Sequence, residues 1–352
     1  MKHMAHKLIG QTALAATIGL MAPAVLAEAG EHEQSNRHTF SFALWGDMPY
    51  ITPGITDTQT PKIAPLVADI NAAKVAFTVF DGDIKSGSSL CTNDVYATAA
   101  NTFNSFKAPM VYVLGDNEWT DCHRTNNGGY NNLERLTYIR QTMFASPYSF
   151  GHRPFVLEHQ GPLAGLYVEN TRWKYGDVVF VGLNVPGSNN NLVKPGECLS
   201  AKSVRTQVDC DADTAEYVAR DAANIQFLKD TFQKARAERS VGVMVIIQAD
   251  PGFDLPETET LNERALPGYE GYTAFLNTLA SETAAFAGQV VLVHGDTHFF
   301  KIDKPLFDQA HLLPNFTRVE TFGSPNVHWV KVSVDPHSRN VFTFEPMIVP
   351  GN

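Results

Sequence analysis

Five short apolar segments of the chain each end in a group of acidic, amide or histidine residues. Apolar runs of this length, bounded by polar residues, are typical of buried β-strands. The stretches between the first three segments space their apolar residues as a helix does, which is typical of parallel strands joined by helices. The sequence therefore predicts an α/β fold, with strands at residues 40–45, 75–80, 109–114, 241–247 and 290–293.

Helical periodicity predicts four helices, at residues 63–73, 93–106, 213–236 and around 272–279. The third is the strongest prediction, because its apolar residues recur at intervals of three and four. Either Asp211 or Asp213 is expected to cap it. Its predicted apolar face, which we expect to pack on the core, consists of Val218, Ala222, Ile225, Leu228 and Phe232.

Two further regions show the pattern of antiparallel strands. Residues 166–173 and 178–184 flank a turn at 174–177 and are predicted to form a hairpin. The chain from residue 316 onward alternates apolar and polar residues and is predicted to form an antiparallel sheet.

Residue types that bind metal ions follow each of the five buried strands. Ligands of parallel α/β sheets bind outside the carboxyl ends of the strands, so these residues are expected to lie side by side. Several carboxylates at such a distance repel one another, and a bound divalent cation relieves the repulsion. The five groups are Gly46-Asp47, Asp81-Gly82-Asp83, Gly115-Asp116-Asn117-Glu118, Gln248-Ala249-Asp250 and His294-Gly295-Asp296-Thr297-His298.

Ordinary turn chemistry is the alternative explanation of a Gly-Asp pair. It is the better one for Gly176-Asp177, which precedes a predicted strand instead of ending one. Four such pairs at the ends of apolar runs favour a ligand role. The chain has no GxSxG, GxGxxG, P-loop or HExxH motif, so the main rival chemistries lack their signatures.

The amino terminus has the parts of a secretory signal. Lys2 and Lys7 precede an apolar run at residues 13–21, and small residues follow up to Ala27. We expect a signal peptide at 1–27, a flexible tail at 28–39 and a single domain at 40–352, in a protein that is periplasmic or secreted. A buried amino-terminal helix is the alternative. The apolar run is too short for a membrane span, and no later segment is long enough.

The net charge of −10 argues against nucleic acid or anionic lipid as the main partner. A small phosphorylated substrate remains compatible with this charge if a metal ion supplies local positive charge. No coiled coil or apolar surface pattern predicts an oligomeric state.

Four cysteines in an exported chain indicate disulfides, and three pairings are possible. We expect Cys198–Cys210, which closes a short polar loop, and Cys91–Cys122, since both residues follow strand-end loops. The chain has no CxxC pair, which a zinc ribbon requires. A cysteine that acts as a nucleophile is a weaker alternative to the disulfides.

The order of the five strand-end groups resembles the calcineurin-like metallophosphoesterase family, over residues 40 to about 346. The resemblance implies a four-layer α/β/β/α sandwich with metal ions at the strand ends. It also implies that Asp83 bridges two ions and that a metal-activated water attacks phosphorus directly. By position in these motifs, the implied metal ligands are Asp47, Asp83, Asp116, Gln248, Asp296 and His298.

Several histidines of the family pattern are missing from this chain, although the last one, His298, is present. Pro49 leaves the ion at Asp47, Asp83 and His298 one ligand short, so that this position is open or filled by water. Carboxylates and amides in place of imidazoles favour Mn²⁺, Mg²⁺ or Ca²⁺ over zinc or iron, with one or two ions bound. Asn117 stands where the family has the histidine that acts on the leaving group.

An amide orients phosphate but does not donate a proton as an acid near neutral pH. His294, His298 or His328 is a substitute donor, and we assign the catalytic role to Asn117 and His294. Asn117 and Lys85 are the expected contacts to the substrate.

The leading hypothesis is an exported metal-dependent phosphoesterase acting on a small phosphomonoester or phosphodiester. The first alternative is a non-catalytic protein of the same fold that binds a metal or a phosphorylated ligand. A second alternative is an exported structural or adhesive domain with a Ca²⁺-stabilised acidic cluster.

Overall fold

Two β-sheets pack against each other through apolar side chains. The structure is a computed structural model, and it describes residues 38–352 except 195, 254–261 and 309–310. The predicted signal peptide and most of the predicted tail lie outside the described residues. The interface between the sheets is filled by side chains of both, including Phe42, Val79, Phe180, Met244 and Val332.

The first sheet has the strand order β14-β13-β1-β2-β3. Strands β1, β2 and β3 are parallel, as the β-α-β-α-β pattern predicts, and β13 runs antiparallel to both β1 and β14. The strands are β1 (Phe40–Trp45), β2 (Thr78–Phe80), β3 (Met110–Tyr112), β13 (Trp329–Val334) and β14 (Phe342–Met347).

The second sheet has the strand order β4-β5-β6-β7-β8-β12-β9. Strands β6, β7, β8 and β12 are parallel, and β4, β5 and β9 are antiparallel at the two edges. A separate two-stranded pair joins β10 (Phe307–Asp308) and β11 (His311–Leu312). The strands of the sheet are β4 (Glu158–His159), β5 (Thr171–Tyr175), β6 (Val178–Gly182), β7 (Gly242–Ile246), β8 (Gln289–His294), β9 (Lys301–Asp303) and β12 (Phe316–Glu320).

Helices cover the outer faces of both sheets and complete an α/β/β/α sandwich. Helices α1 to α3 pack on the first sheet through one apolar cluster, and α5 and α6 pack on the second sheet through another. The predicted fold class is therefore confirmed. The helices are α1 (Thr60–Ala72), α2 (Asn93–Asn104), α3 (Asn132–Met143), the one-turn segment α4 (Gly187–Asn190), α5 (Gln207–Ala237) and α6 (Thr273–Ala284), with 3₁₀ turns at Thr125–Asn127, Glu263–Ala265 and Glu270–Tyr272.

Helix α5 begins earlier than the sequence predicts, and its cap is different. Thr206 is the cap, with Asp209 completing a capping box, so the prediction of Asp211 or Asp213 was wrong. Val218 of the predicted apolar face is 60% exposed. Leu228 and Phe232 are buried as predicted, whereas Ala222 is exposed and Ile225 is only partly buried. The amino-terminal half of the helix buries polar side chains instead, which an apolar periodicity does not detect.

The carboxyl-terminal region divides between the two sheets. Strand β12 pairs in parallel with β8, whereas β13 and β14 form an antiparallel pair in the other sheet. The prediction of one antiparallel sheet from residue 316 onward was therefore wrong for β12. The connection from β12 to β13 crosses between the sheets, and this crossing brings Ser324 beside Asp47.

Both predicted cysteine pairs are confirmed as disulfides. The Cα atoms are 5.8 Å apart in Cys91–Cys122 and 5.9 Å apart in Cys198–Cys210. Within the part of the chain that the structure describes, no helix is long and apolar enough to cross a membrane.

Candidate active site at the carboxyl ends of the strands

The acids that follow the parallel strands of both sheets meet in one buried cluster. Asp47 follows β1 and Asp83 follows β2, while Asp296 follows β8 of the other sheet. The backbone N–H of Asp296 donates to Asp47 Oδ1 at 3.2 Å, and that of Asn117 donates to Asp83 Oδ1 at 3.0 Å. Asp47 and Asp83 are almost inaccessible to solvent. The strand-end pattern of the sequence is therefore one site in space.

Two glycines make this close approach possible. A Cβ atom on Gly115 would lie 2.1 Å from Asp83 Oδ1, and one on Gly295 would lie 1.8 Å from Asp47 Oδ2. Each glycine thus leaves room for the carboxylate of a different strand. The Gly-Asp pairs of the sequence place an acid at one strand end and admit a second acid from another.

Four of the predicted ligands have a left-handed backbone. Asp47, Asp83, Asp296 and His298 have φ angles of 50°, 63°, 75° and 65°. Such conformations cost about 1–3 kcal/mol each in residues other than glycine, and they cluster at functional sites. The strained backbone at these four residues lowers the stability of the fold, and it directs their side chains into the cluster.

Tyr50 lies at the centre of the cluster, and the sequence reasoning missed it. Its hydroxyl donates to Asp83 Oδ2 at 2.6 Å and lies 3.4 Å from Asp47 Oδ1. It also lies 3.3 Å from His298 Nε2 and accepts a hydrogen bond from Asn117 Nδ2 at 2.9 Å. Tyr50 follows Pro49 directly, where we had predicted a missing ligand. The signal available in the sequence was a phenol three residues after the first acid.

Three atoms of this cluster have the spacing of metal ligands. Asp47 Oδ1 is 3.5 Å from His298 Nε2, and Tyr50 Oη is 3.4 Å and 3.3 Å from these two atoms. Donors in a tetrahedral site with bonds of about 2.1 Å are about 3.4 Å apart. Asp83 Oδ2 adjoins the triangle through its hydrogen bond to Tyr50. The donor set fits one cation, with Tyr50 in the place that Pro49 leaves open.

The remaining predicted ligands lie together, but protein hydrogen bonds occupy their oxygens. Gln248 Oε1 accepts from Gly187 N at 2.7 Å, and Asp116 Oδ2 accepts from Ser188 Oγ at 2.8 Å. Gln248 Nε2 donates to Asp296 Oδ1 at 3.2 Å. These hydrogen bonds tie the ligands predicted at this position to segment α4 and to each other.

The usual ligand residues do not by themselves form a complete set. Across residues 38–194, 196–253, 262–308 and 311–352, no three His, Cys, Asp or Glu side chains converge in a way that could hold a metal ion. Tyr50 adds a phenol oxygen to Asp47 and His298. The single-ion site consequently depends on the phenol as its third donor.

Burial and mutual repulsion dominate the electrostatics of the cluster. Burial, together with the charge of Asp116, raises the pKa of Asp83 and that of Asp296 well above the usual value for a carboxyl group. Burial opposes protonation of His298, but the hydrogen bond and charge of Asp47 outweigh it and raise the pKa of this imidazole. A cation among these groups would lower the cost of holding them ionised.

Two other predicted residues are held by contacts outside the acids of the cluster. The Lys85 ammonium is buried and donates to Ser86 O, Asn117 O and Asn127 Oδ1, which supports a loop instead of facing a substrate. The His294 ring is fully buried beside Arg318, and burial lowers its pKa to about 3. Neither side chain donates a hydrogen bond to an acid of the cluster in the contacts found among the described residues.

Asn117 does lie at the cluster, and Glu118 holds it there. One carboxylate oxygen of Glu118 accepts hydrogen bonds from Gly115 N at 2.7 Å, Tyr112 Oη at 2.8 Å and Asp83 N at 3.2 Å. These bonds fix the turn that follows β3. The Asn117 amide consequently points at Asp83 Oδ2, to which it donates.

Comparisons with known proteins find similarity in structure but not in sequence. No protein-family model and no curated protein matches the sequence. The structure of PhoD aligns with a TM-score of 0.53 and 11% identity, over 89% of this chain and 67% of that one. A purple acid phosphatase from yellow lupin (Lupinus luteus) seeds aligns with a TM-score of 0.52 and 10% identity, over 90% of this chain. Both are metallophosphoesterase-fold proteins.

The chain has the metallophosphoesterase fold. It spans only 53% of the lupin phosphatase chain, so about half of that protein has no counterpart here. At this level of identity the likeness concerns the fold. The ligand positions of the chain are argued from its own geometry.

Proposed function

We propose that the protein is an exported, metal-dependent phosphoesterase that hydrolyses a small phosphomonoester or phosphodiester with water as the nucleophile. The observation that supports this most directly is the triangle of Asp47 Oδ1, Tyr50 Oη and His298 Nε2 beside Asp83. It lies at the carboxyl ends of the strands in a metallophosphoesterase fold, where α/β sheets bind their ligands.

Each residue of the cluster has a role in this proposal. Asp47, Tyr50 and His298 would hold a divalent cation, with Asp83 next to them. When bound, the cation would supply positive charge for the phosphoryl oxygens and lower the pKa of water. Asn117 Nδ2 donates to Tyr50 Oη and Asp83 Oδ2 at this position and would redirect one of these hydrogen bonds to a phosphoryl oxygen.

The donor set of this position has two oxygens and one nitrogen, and a third oxygen, Asp83 Oδ2, adjoins it. Oxygen donors favour Mn²⁺, Mg²⁺ or Ca²⁺ over zinc or iron. We therefore propose one ion of this harder class as the resident cofactor.

A non-catalytic role is the second candidate, and one observation favours it. Asp116 Oδ2 and Gln248 Oε1 accept hydrogen bonds from segment α4, so these two predicted ligands already have protein partners. In this non-catalytic role the protein would bind a metal or a phosphorylated ligand and would not hydrolyse it.

Metal analysis and activity assays on one preparation separate the two candidates. The purified protein is assayed for metal content and for hydrolysis of p-nitrophenyl phosphate and bis(p-nitrophenyl) phosphate with Mn²⁺, Mg²⁺, Ca²⁺ and Zn²⁺. Asp83→Asn is the test variant, and Asp211→Asn is the control because Asp211 is exposed on α5. Turnover that is lost only in Asp83→Asn supports the enzyme, whereas bound metal without turnover under any ion supports the binding protein.

Export is a separate part of the proposal. We propose that residues 1–27 are removed, that 28–39 form a flexible tail, and that 40–352 form one domain. Two disulfides support an oxidising compartment. Sequencing of the mature amino terminus is expected to begin at Glu28, and a protein that keeps Met1 and accumulates in the cytosol would contradict export.

A further inference from the structure

A cavity of about 520 Å³ opens beside the acid cluster and is not used by the proposed hydrolysis. It adjoins the cluster through Ser188, whose hydroxyl donates to Asp116 Oδ2 at 2.8 Å and lies 2.7 Å from Asp121 Oδ1. Arg124 Nη2 donates to the same hydroxyl at 3.2 Å. Arg124 and Asp121 both line the cavity, so only one side chain separates the cavity from Asp116.

Positive charge dominates the lining of this cavity. It contains the two arginines Arg124 and Arg205 and the two lysines Lys194 and Lys202, against the acids Asp121 and Glu197. This surplus of cations is notable in a chain whose net charge is −10. A concave surface of one charge sign concentrates the field and attracts ligands of the opposite sign.

Some of these cations are paired and others are available. Three of the four form ion pairs: Arg124 with Asp121, Arg205 Nη1 with Asp213 at 3.0 Å, and Lys194 with Glu197 at 3.8 Å. Lys202 is exposed and belongs to none of the ion pairs found among the described residues. Lys202 and the weakly paired Lys194 are therefore the cations that an incoming anion can recruit.

The cavity walls are held in place by covalent and backbone bonds. Arg124 follows Cys122 of the first disulfide, and Lys202 and Arg205 lie inside the loop that the Cys198–Cys210 disulfide closes. The two walls are joined by hydrogen bonds from Thr125 N to Lys202 O at 2.9 Å and from Val204 N to His123 O at 3.0 Å. The cation cluster is therefore preorganised, which lowers the cost of binding.

We propose that this cavity binds a second phosphate group of the substrate, so that the preferred substrates are small molecules carrying two phosphates. This proposal rests on the proposed function for its catalytic half. Two ammonium groups that an anion can recruit, beside two guanidinium groups that are paired with acids, favour a phosphate dianion over a single carboxylate. A volume of about 520 Å³ holds a ligand of sugar size.

The test compares hydrolysis of glucose 1,6-bisphosphate with that of glucose 1-phosphate. The double variant Lys194→Gln/Lys202→Gln removes two lining cations, and Lys229→Gln is the control because Lys229 is exposed on α5 outside the cavity. The wild type is expected to have the higher kcat/KM for the bisphosphate. In the double variant the ratio of kcat/KM for the bisphosphate to kcat/KM for glucose 1-phosphate is expected to fall about tenfold. Each partly exposed ion pair to the second phosphate raises this ratio by up to about fivefold. The kcat/KM for glucose 1-phosphate should stay unchanged.

Equal kcat/KM values for the two sugar phosphates in the wild type would overturn the proposal, as would a preference that persists in the double variant. If no phosphoester is hydrolysed, p-nitrophenyl phosphate included, the proposed function is overturned. Phosphate binding in the cavity is then tested by calorimetry with glucose 1,6-bisphosphate. Binding that weakens about tenfold in the double variant and not in Lys229→Gln supports the cavity, and no binding to the wild type overturns it.

Discussion

Tyr50 is the residue on which the proposed metal site depends most. Replacing it by phenylalanine removes one donor of the triangle and leaves the ring and its packing in place. We expect Tyr50→Phe to weaken Mn²⁺ binding by at least about tenfold, a loss of the size seen when hydrogen-bonded groups around a metal are removed. Isothermal titration with Mn²⁺ measures this directly. An unchanged affinity would show that the phenol is not a ligand.

Asn117 determines which leaving groups the proposed enzyme can release. Because an amide does not protonate a leaving oxygen, hydrolysis should be fast for aryl esters and slow for alkyl esters. Asn117→His is expected to raise kcat/KM for glycerol 3-phosphate relative to p-nitrophenyl phosphate by about tenfold or more. Asn117→Gln serves as the control, since it keeps the amide. The same ratio of the two kcat/KM values in wild type and Asn117→His would contradict this role.

At the residue scale, the sequence predicts correctly which acids lie together. It predicts less well which other side chains contact those acids. Asp47, Asp83 and Asp296 lie in one cluster as expected, because strand ends of parallel sheets meet at one edge. Tyr50 was missed because the family pattern directs attention to Pro49. His294 is the last residue of β8, and its side chain points to Arg318 instead of the site.

At the scale of a single element, helix α5 shows where periodicity misleads. Arg220 is fully buried and donates to Asn184 O at 2.7 Å and to Asn190 Oδ1 at 2.6 Å. These bonds tie the helix to segment α4, which carries Ser188 into the acid cluster. Apolar spacing places Val218 in the core, but the polar contacts of α4 decide which face of this half of the helix is buried.

Arg220 should therefore matter more to stability than the apolar residue two positions earlier. Arg220→Met breaks the pair with Glu216 and removes the donor to the buried side-chain and backbone carbonyl oxygens of Asn190. We expect it to lower the free energy of unfolding by about 3 kcal/mol. Val218→Ala is the comparison, with an expected change within about 0.5 kcal/mol because Val218 is mostly exposed. Urea unfolding measures both, and similar losses in the two variants would contradict this assignment.

At the scale of the whole molecule, the two disulfides connect stability with the cation-lined cavity. The Cys198–Cys210 bond spans 12 residues, and closing a loop of that size contributes about 3 kcal/mol in the chain-entropy account. The variant Cys198→Ser/Cys210→Ser is expected to lose up to this amount in urea unfolding. It should also lose part of any preference for a bisphosphate, since Lys202 and Arg205 lie within the loop. A stability equal to that of the wild type would contradict the prediction.

The layered architecture of the molecule follows from the sequence, but the path of its last strands does not. Buried apolar strands alternating with helices predict parallel sheets, and both sheets contain them. Strand β12 has the same alternating pattern as β13, so the pattern alone does not show that it joins the other sheet. That crossing is decided by tertiary packing, and it positions Ser324, whose carbonyl contacts His298 Nδ1 at 2.9 Å.

The most direct test of the metal-dependent function is chelation followed by restoration. The kcat/KM for p-nitrophenyl phosphate is measured on the purified protein, after removal of metal with EDTA and dialysis, and after addition of Mn²⁺. The single-cation site predicts that activity is lost on chelation, returns with Mn²⁺ in the wild type, and does not return in Asp83→Asn. Hydrolysis that survives complete removal of metal, or that returns equally in Asp83→Asn, would contradict it.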